Sequence, residues 1–148
     1  MIYTPMTRKA MRVMFDAHKE QVDKTGLPYV FHPFHVAEQM EDETTTIVAL
    51  LHDVVEDTDL TLDDLRAMGF SVEVCQALDL MTHREGVPYM DYVRAIKTNP
   101  VAVKVKLADL RHNSDLTRMD TPTEKDLARV EKYREAMRIL TEEERKKN

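Results

Sequence analysis

Apolar and polar positions follow a helical period along almost the whole of this chain. Thr4-Pro5 reads as an N-cap followed by a first-turn proline, and the pattern predicts a helix from there to about Glu20. Lys24 to Pro28 is a loop by composition, and His32-Pro33 restarts a helix that runs to about Met40. A third helix is expected over about Thr44 to Glu56. Thr61 and Asp64 resemble a capping box that opens a short helix ending at Gly69. Ser71 caps the next helix, to about Leu80, and Val87-Pro88 precedes another, to about Thr98. Pro100 begins a helix containing VAVKVKLADLRHN, and Thr121-Pro122 introduces a last one over residues 121–148, ending in the solvated tail ERKKN. The sum is about eight helices with no convincing strand, an all-α bundle. No repeat, low-complexity tract or Gly/Ser linker interrupts it, so residues 1–148 read as one domain.

Composition agrees with that pattern. Gly is 3, Pro 6 and Trp 0 in 148 residues, poor in the turn and strand residues of an all-β fold. The 10 methionines at helical spacing read as core filler. Lys plus Arg is 21 against 27 Asp plus Glu, a formal net charge of −6, and this disfavours a nucleic-acid partner, which calls for a basic face. The longest apolar run, Ile47 to Leu51, is far shorter than the ~18 residues of a membrane helix. With one cysteine, Cys75, and no apolar signal core in MIYTPMTRKAM, the expectation is a soluble cytoplasmic protein.

The third helix carries the first chemical signal. At about 100° per residue, Ile47, Val48, Leu50, Leu51, Val54 and Val55 form one apolar arc, leaving His52, Asp53, Glu56 and Asp57 on the other. An ordinary solvated acidic face would look the same. Three carboxylates, however, crowd a helix C-terminus, where the dipole disfavours negative charge, and a bound cation would relieve both the repulsion and the mismatch. His52 and Asp53 are therefore candidate ligands. Asp109 is the second signal, a carboxylate in a helix apolar on most sides. It needs a partner. Lys106 or a histidine would serve structurally, and a metal would serve functionally; Asn113 shares its face. A third donor comes from His32 or His35, and the pattern alone does not choose between them. An imidazole and carboxylate set without thiolate suits Mn, Fe, Zn or Mg.

The words around these residues resemble a known family. The order H, then HD, then D is that of HD-superfamily metal-dependent phosphohydrolases. AHKEQVDKTGLPYVFHPFHVA, LLHDVVEDT and VKLADLRHN resemble the hydrolase domain of RelA/SpoT alarmone enzymes and the single-domain small alarmone hydrolases, over residues 17–113. The resemblance implies His32, His52, Asp53 and Asp109 as metal ligands, with manganese the usual metal. It implies Glu56 and Asp57 as the acidic pair of hydrolysis and Lys24 and Asn113 as substrate-holding positions. The implied reaction removes pyrophosphate from the ribose 3′ position of (p)ppGpp, a small-molecule nucleotide. Lys24, with Lys106 or Arg111, would offset phosphate charge. The family commonly has Arg-Lys where this chain reads Asp23-Lys24, and an acidic residue there cannot hold a guanine base as arginine does. By the same match His18 is not a ligand, and a core hydrogen bond is expected for it. His112 reads as a structural or ligand-supporting residue, and the His83-Arg84 loop as solvated or within reach of a phosphate. Leu127, Val130, Tyr133 and Met137 form a stripe on the last helix that is either core or the seam of a homo-oligomer, core being preferred.

Overall fold

The computed structural model describes residues 1–146, with side chains as far as Glu142. Of the expected solvated tail, residues 144–148, only the backbone of 144–146 is described, as the end of the last helix, and the rest of the expectation lies outside the described residues. Among the described residues nine α-helices follow one another: α1 Pro5–His18, α2 Phe31–Glu38, α3 Glu43–Leu51, α4 Val54–Asp57, α5 Leu62–Ala67, α6 Val72–Met81, α7 Tyr89–Ile96, α8 Pro100–Asn113 and α9 Glu124–Lys146, with a 3-10 turn at Leu116–Arg118. Among the described residues the only extended pairing is one isolated bridge, Val22 with Pro28, which closes the loop between α1 and α2. The all-α expectation stands, with one helix more than expected.

Local chemistry sets the helix starts. Thr4 caps α1 in a reciprocal box with Thr7, Asp42 caps α3 through the Thr45 N–H, Ser71 caps α6, and Asn99 caps α8 with Pro100 in its first turn. Thr61 and Asp64 form the expected capping box, and Gly69 stops α5 at φ +97, a left-handed conformation that suits glycine. The second helix begins earlier than its proline suggested. Turn bonds from Phe31 N–H to Pro28 and from His32 N–H to Tyr29 start it, and Pro33 sits in the first turn, where its missing N–H costs nothing.

The expected third helix is two pieces. α3 ends at His52, and Asp53 stands at φ −104, ψ 0 before the short α4. In a continuing helix the Ala49 carbonyl accepts from the Asp53 N–H; here it accepts from His52 Nδ1 at 2.6 Å. The imidazole thus competes for the backbone ladder at the position where the chain turns.

α3 is the centre of the molecule. Every residue from Thr45 to Leu51 is buried, and α1, α2, α6 and α8 pack around the helix. Each of its large apolar side chains contributes ~1.5–3 kcal/mol by leaving water. α9 covers α7 and α8, burying Val130, Ala136, Ile139 and Leu140. Of the α9 stripe, Val130 is core, Tyr133 and Met137 are half-buried against it, and Leu127 is 50% exposed. The result for the site is simple. The end of α3 meets the middle of α8 and the start of α2 inside the bundle.

Candidate metal centre and active site

Three helices deliver the expected ligand set to one point. His32 comes from α2, His52 and Asp53 from the break after α3, and Asp109 from α8. His32 Nε2 lies 2.8 Å from Asp109 Oδ1 and 3.9 Å from Asp53 Oδ2. His52 Nε2 lies 3.1 Å from Asp53 Oδ2 and 3.4 Å from Asp109 Oδ1. Donor atoms of His32, His52 and Asp109 all fall within 4.8 Å of one another.

The hydrogen-bond pattern tests whether a cation fits. His52 Nδ1 donates to the Ala49 carbonyl, which turns Nε2 toward the centre. That Nε2 is buried and has no hydrogen-bond partner, although two carboxylate oxygens face it. Burial by itself would lower the His52 pKa, but Asp53 and Asp109 hold it well above the usual imidazole range, so the pocket favours a positive charge at this nitrogen, which a proton or a bound cation supplies. The residues fit a divalent cation with nitrogen and oxygen ligands.

The surrounding groups hold this set in place. Asp109 accepts from Lys106 Nζ at 2.9 Å and Asn113 Nδ2 at 3.0 Å, so the structural partner expected of this buried carboxylate is present. Burial by itself would raise the Asp109 carboxyl, but the Lys106 ammonium and the imidazoles hold it well below the usual carboxylate range. Tyr29, from the word that also carries His32, donates its hydroxyl to Asp53 Oδ2. His112 Nδ1 meets His32 Nδ1 at 2.7 Å. His35, the other candidate of its helix, is exposed and stacks on the outer face of His112 at 4.2 Å between ring centroids.

Glu56 and Asp57 stand beside the centre, their carboxylates grouped with Asp53 within 4.8 Å. Glu56 Oε1 accepts from the His83 backbone N–H at 2.6 Å. The Asp57 carbonyl accepts from Gln21 Nε2 at 3.1 Å, and Gln21 Oε1 in turn accepts from His18 Nδ1 at 2.9 Å. His18 is therefore the buried hydrogen-bonding residue it was expected to be. Burial, and then the charges of Asp53 and Glu56, push the Asp57 carboxyl up to about 6.

Two cavities open from the centre. The inner one, about 220 Å³, is walled by Asp53, Glu56, Asp57, His83, Tyr89 and Lys106 among others. The outer one, about 310 Å³, has Asp23, Lys24, Arg118, Met119 and Arg129 along its wall. Tyr29, Asn113 and Tyr133 border both. Lys24 loses basicity through burial and then through the nearby Arg129.

Two expectations need correction. Arg111 is not brought to either cavity; it lines a separate recess with His35, Gln39, His112 and Asp115. Two residues beyond Asp109 it sits ~200° around α8, on the opposite face, whereas Lys106 and Asn113 share the carboxylate's face. His83 lies in the expected loop but is half-buried rather than solvated, on the wall of the inner cavity. Its Nε2 bonds the Val87 carbonyl at 2.6 Å and its ring stacks on Tyr92 at 4.6 Å. Arg118, Arg129, Tyr89 and Tyr133 were not foreseen, because they follow or fall between the matched words.

Comparison with known proteins adds the lineage. The chain is 39% identical over 135 residues to the mouse guanosine-3′,5′-bis(diphosphate) 3′-pyrophosphohydrolase MESH1, covering 80% of this chain and 74% of the mouse protein. The chain belongs to the MESH1–SpoT family of HD-type hydrolases. Human MESH1 is 38% identical over 130 residues, 78% of this chain and 72% of the human protein. The bifunctional (p)ppGpp synthase/hydrolase SpoT of Escherichia coli K12 is 33% identical over 120 residues, 72% of this chain, but the chain spans only 17% of SpoT. A solved structure described as a metazoan ortholog of SpoT that hydrolyses ppGpp superposes with a TM-score of 0.75 at 24% identity, covering 95% of this chain and 88% of that one. That likeness shows a shared helical HD fold. No family model matches the chain. Among the described residues of this MESH1–SpoT chain, no helix is long and apolar enough to cross a membrane.

Proposed function

We propose that this chain is a metal-dependent phosphohydrolase that releases pyrophosphate from the ribose 3′ position of (p)ppGpp, residues 1–148 acting as one HD-type domain. The observation that carries the reading is the His52 Nε2 atom, buried and unpartnered among His32, Asp53 and Asp109 with two further carboxylates alongside. These four residues would hold one divalent cation, manganese on this reading. When bound, such a cation supplies Lewis acidity and makes a water nucleophilic at neutral pH.

Hydrolysis forms one P–O bond from water and breaks the bond from that phosphorus to the 3′ oxygen. One proton must leave the water and one must reach the departing oxygen. Glu56 and Asp57 are the acids placed for that traffic. Glu56 is held through one oxygen by the His83 N–H, and its other oxygen serves the exchange. Asp57 is anchored through its own carbonyl by Gln21. The outer cavity, with Lys24, Arg118 and Arg129, suits the rest of an anionic nucleotide, Asn113 and Tyr133 standing where the two spaces meet.

A second reading keeps the site and changes the substrate, and Asp23 favours it. Its Oδ1 accepts from Thr25 N–H, Thr25 Oγ1 and Leu27 N–H at 2.8, 2.6 and 3.1 Å, and its other oxygen lies 3.5 Å from Arg118. The wall of the outer cavity thus carries a paired anion, and another nucleotide or phosphomonoester would then turn over faster than ppGpp.

The test is pyrophosphate release from ppGpp by manganese-loaded protein, with a chelator control and a panel of nucleotides and phosphomonoesters. Chelator-sensitive release from ppGpp above the panel supports the first reading; faster metal-dependent turnover of another compound supports the second. Asp53→Ala should lose metal and turnover together. Glu56→Gln should keep metal and lose rate, and full activity in that variant removes Glu56 from the mechanism.

A further inference from the structure

The inner cavity has an unusual balance of hydrogen-bonding groups. Its carboxylates would repel a phosphoryl group, so donors must offset them, yet most donor groups on its wall already hold a protein partner. Tyr29 Oη is spent on Asp53, and one N–H each of Lys106 Nζ and Asn113 Nδ2 on Asp109. Tyr92 Oη donates to the Met81 carbonyl at 2.8 Å, and the His83 ring and backbone N–H are taken by Val87 and Glu56. Tyr89 is different. The residue lines the same cavity, and its hydroxyl is buried without a protein partner.

The ring that carries this hydroxyl is fixed. Lys132 Nζ stands 4.5 Å from its centroid, His83 meets it edge-on at 5.8 Å, and Tyr92 lies tilted at 5.7 Å. Burial pushes the phenol up to about 12, so it remains a donor throughout the neutral range. A buried donor without a partner calls for a ligand acceptor, and a fixed one does not have to reorganise when charge develops nearby.

We propose that Tyr89 contacts the substrate, its hydroxyl donating to a phosphoryl oxygen of the diphosphate group that lies between it and the Glu56–Asp57 pair. This rests on the phosphohydrolase reading and adds a residue to it. The site as a whole then has acids on one wall and a neutral donor on the facing one.

Tyr89→Phe removes only the oxygen atom. In manganese-loaded protein, kcat/KM for ppGpp should fall at least about tenfold, as when one preorganised donor is removed. Metal content should be unchanged, and the melting temperature unchanged or slightly raised, because a buried hydroxyl without a partner does not stabilise the fold. The dissociation constant of inorganic pyrophosphate, measured by calorimetry on the same samples, should weaken as well. Equal kcat/KM and equal pyrophosphate affinity in the two proteins overturn the proposal, and so does a lowered melting temperature that alone accounts for the lost rate. A wild-type protein that leaves ppGpp intact is the failure of the functional reading instead; the pyrophosphate affinities then decide Tyr89 by themselves. A wild-type protein that neither turns over ppGpp nor binds pyrophosphate overturns both.

Discussion

On the proposed function His32 is a metal ligand, and His112 would set its protonation by an amount that can be worked out. His32 faces the centre through Nε2, and its Nδ1 lies 2.7 Å from His112 Nδ1. Two ring nitrogens at that distance share one proton. For His32 Nε2 to offer a lone pair to a cation, the proton must sit on His32 Nδ1, with His112 Nδ1 accepting it. Burial first, then the neighbouring His32 and Arg118, push His112 down to about 4, which keeps it a neutral acceptor. His112→Leu removes the acceptor with little change in size. The hydrogen bond is worth ~0.5–1.5 kcal/mol net. Losing the partner of a ligating imidazole typically lowers metal affinity about 10–100-fold, or ~1.4–2.7 kcal/mol. A tenfold loss is therefore what the bond alone explains, and a larger one includes a ring free to turn. The assay is titration of metal-stripped protein with manganese against a competing chelator, with unfolding of the metal-free proteins measured alongside. His112→Gln, which keeps an acceptor oxygen, should recover much of the affinity. Wild-type affinity in His112→Leu, or equal losses in the Leu and Gln variants, would refute the reasoning.

Three further outcomes follow from the fold and the site. Asp42→Ala should cost about 1 kcal/mol at neutral pH by removing the cap of α3. The backbone bond from Thr45 lowers the Asp42 pKa, so its contribution is complete above the ordinary aspartate value of ~3.9 and is lost as pH falls through the lower folded value; urea melts of both proteins should converge in acid. Leu50→Ala, at a fully buried position, should cost ~2–5 kcal/mol, whereas Leu127→Ala, half exposed, should stay within ~0.5 kcal/mol. A large loss at Leu127, or a change in sedimentation on its replacement, would mean that the α9 stripe is a seam between copies. Adding manganese at about 100 times its dissociation constant should stabilise the protein by ~2.7 kcal/mol, and Asp53→Ala should abolish that gain.

How much of this could be read in the sequence depends on whether the cause was local. Caps and stops are local, and Thr4, Asp64 with Thr61, Ser71 and Gly69 act where the pattern put them. The break at His52 was hidden because apolar periodicity continues straight through it. Only a side-chain bond to the Ala49 carbonyl ends the helix there, and periodicity does not register such a bond. Arg111 is the opposite case. Its angle on α8 was available from spacing alone, and its positive charge outweighed an argument that the helical period already supplied.

The Asp23–Arg118 pair marks the boundary of what one chain's sequence can disclose. Asp23 was conspicuous as a departure from the family's Arg-Lys, and by itself it suggested only the loss of a cation. The partner is 95 positions away in a 3-10 turn, outside every matched word. Once both are placed, the cation is present after all, on the opposite strip of the same wall, with Asp23 holding it and the Thr25–Leu27 turn together. The wall's net charge is then lower than two adjacent basic residues would make it, although a guanidinium still faces the cavity. On the proposed function, substrate choice would turn on how firmly Arg118 is held rather than on whether an arginine exists. Its hydrogen bond to the His112 carbonyl at 2.9 Å ties that choice to the helix end that also supports His32.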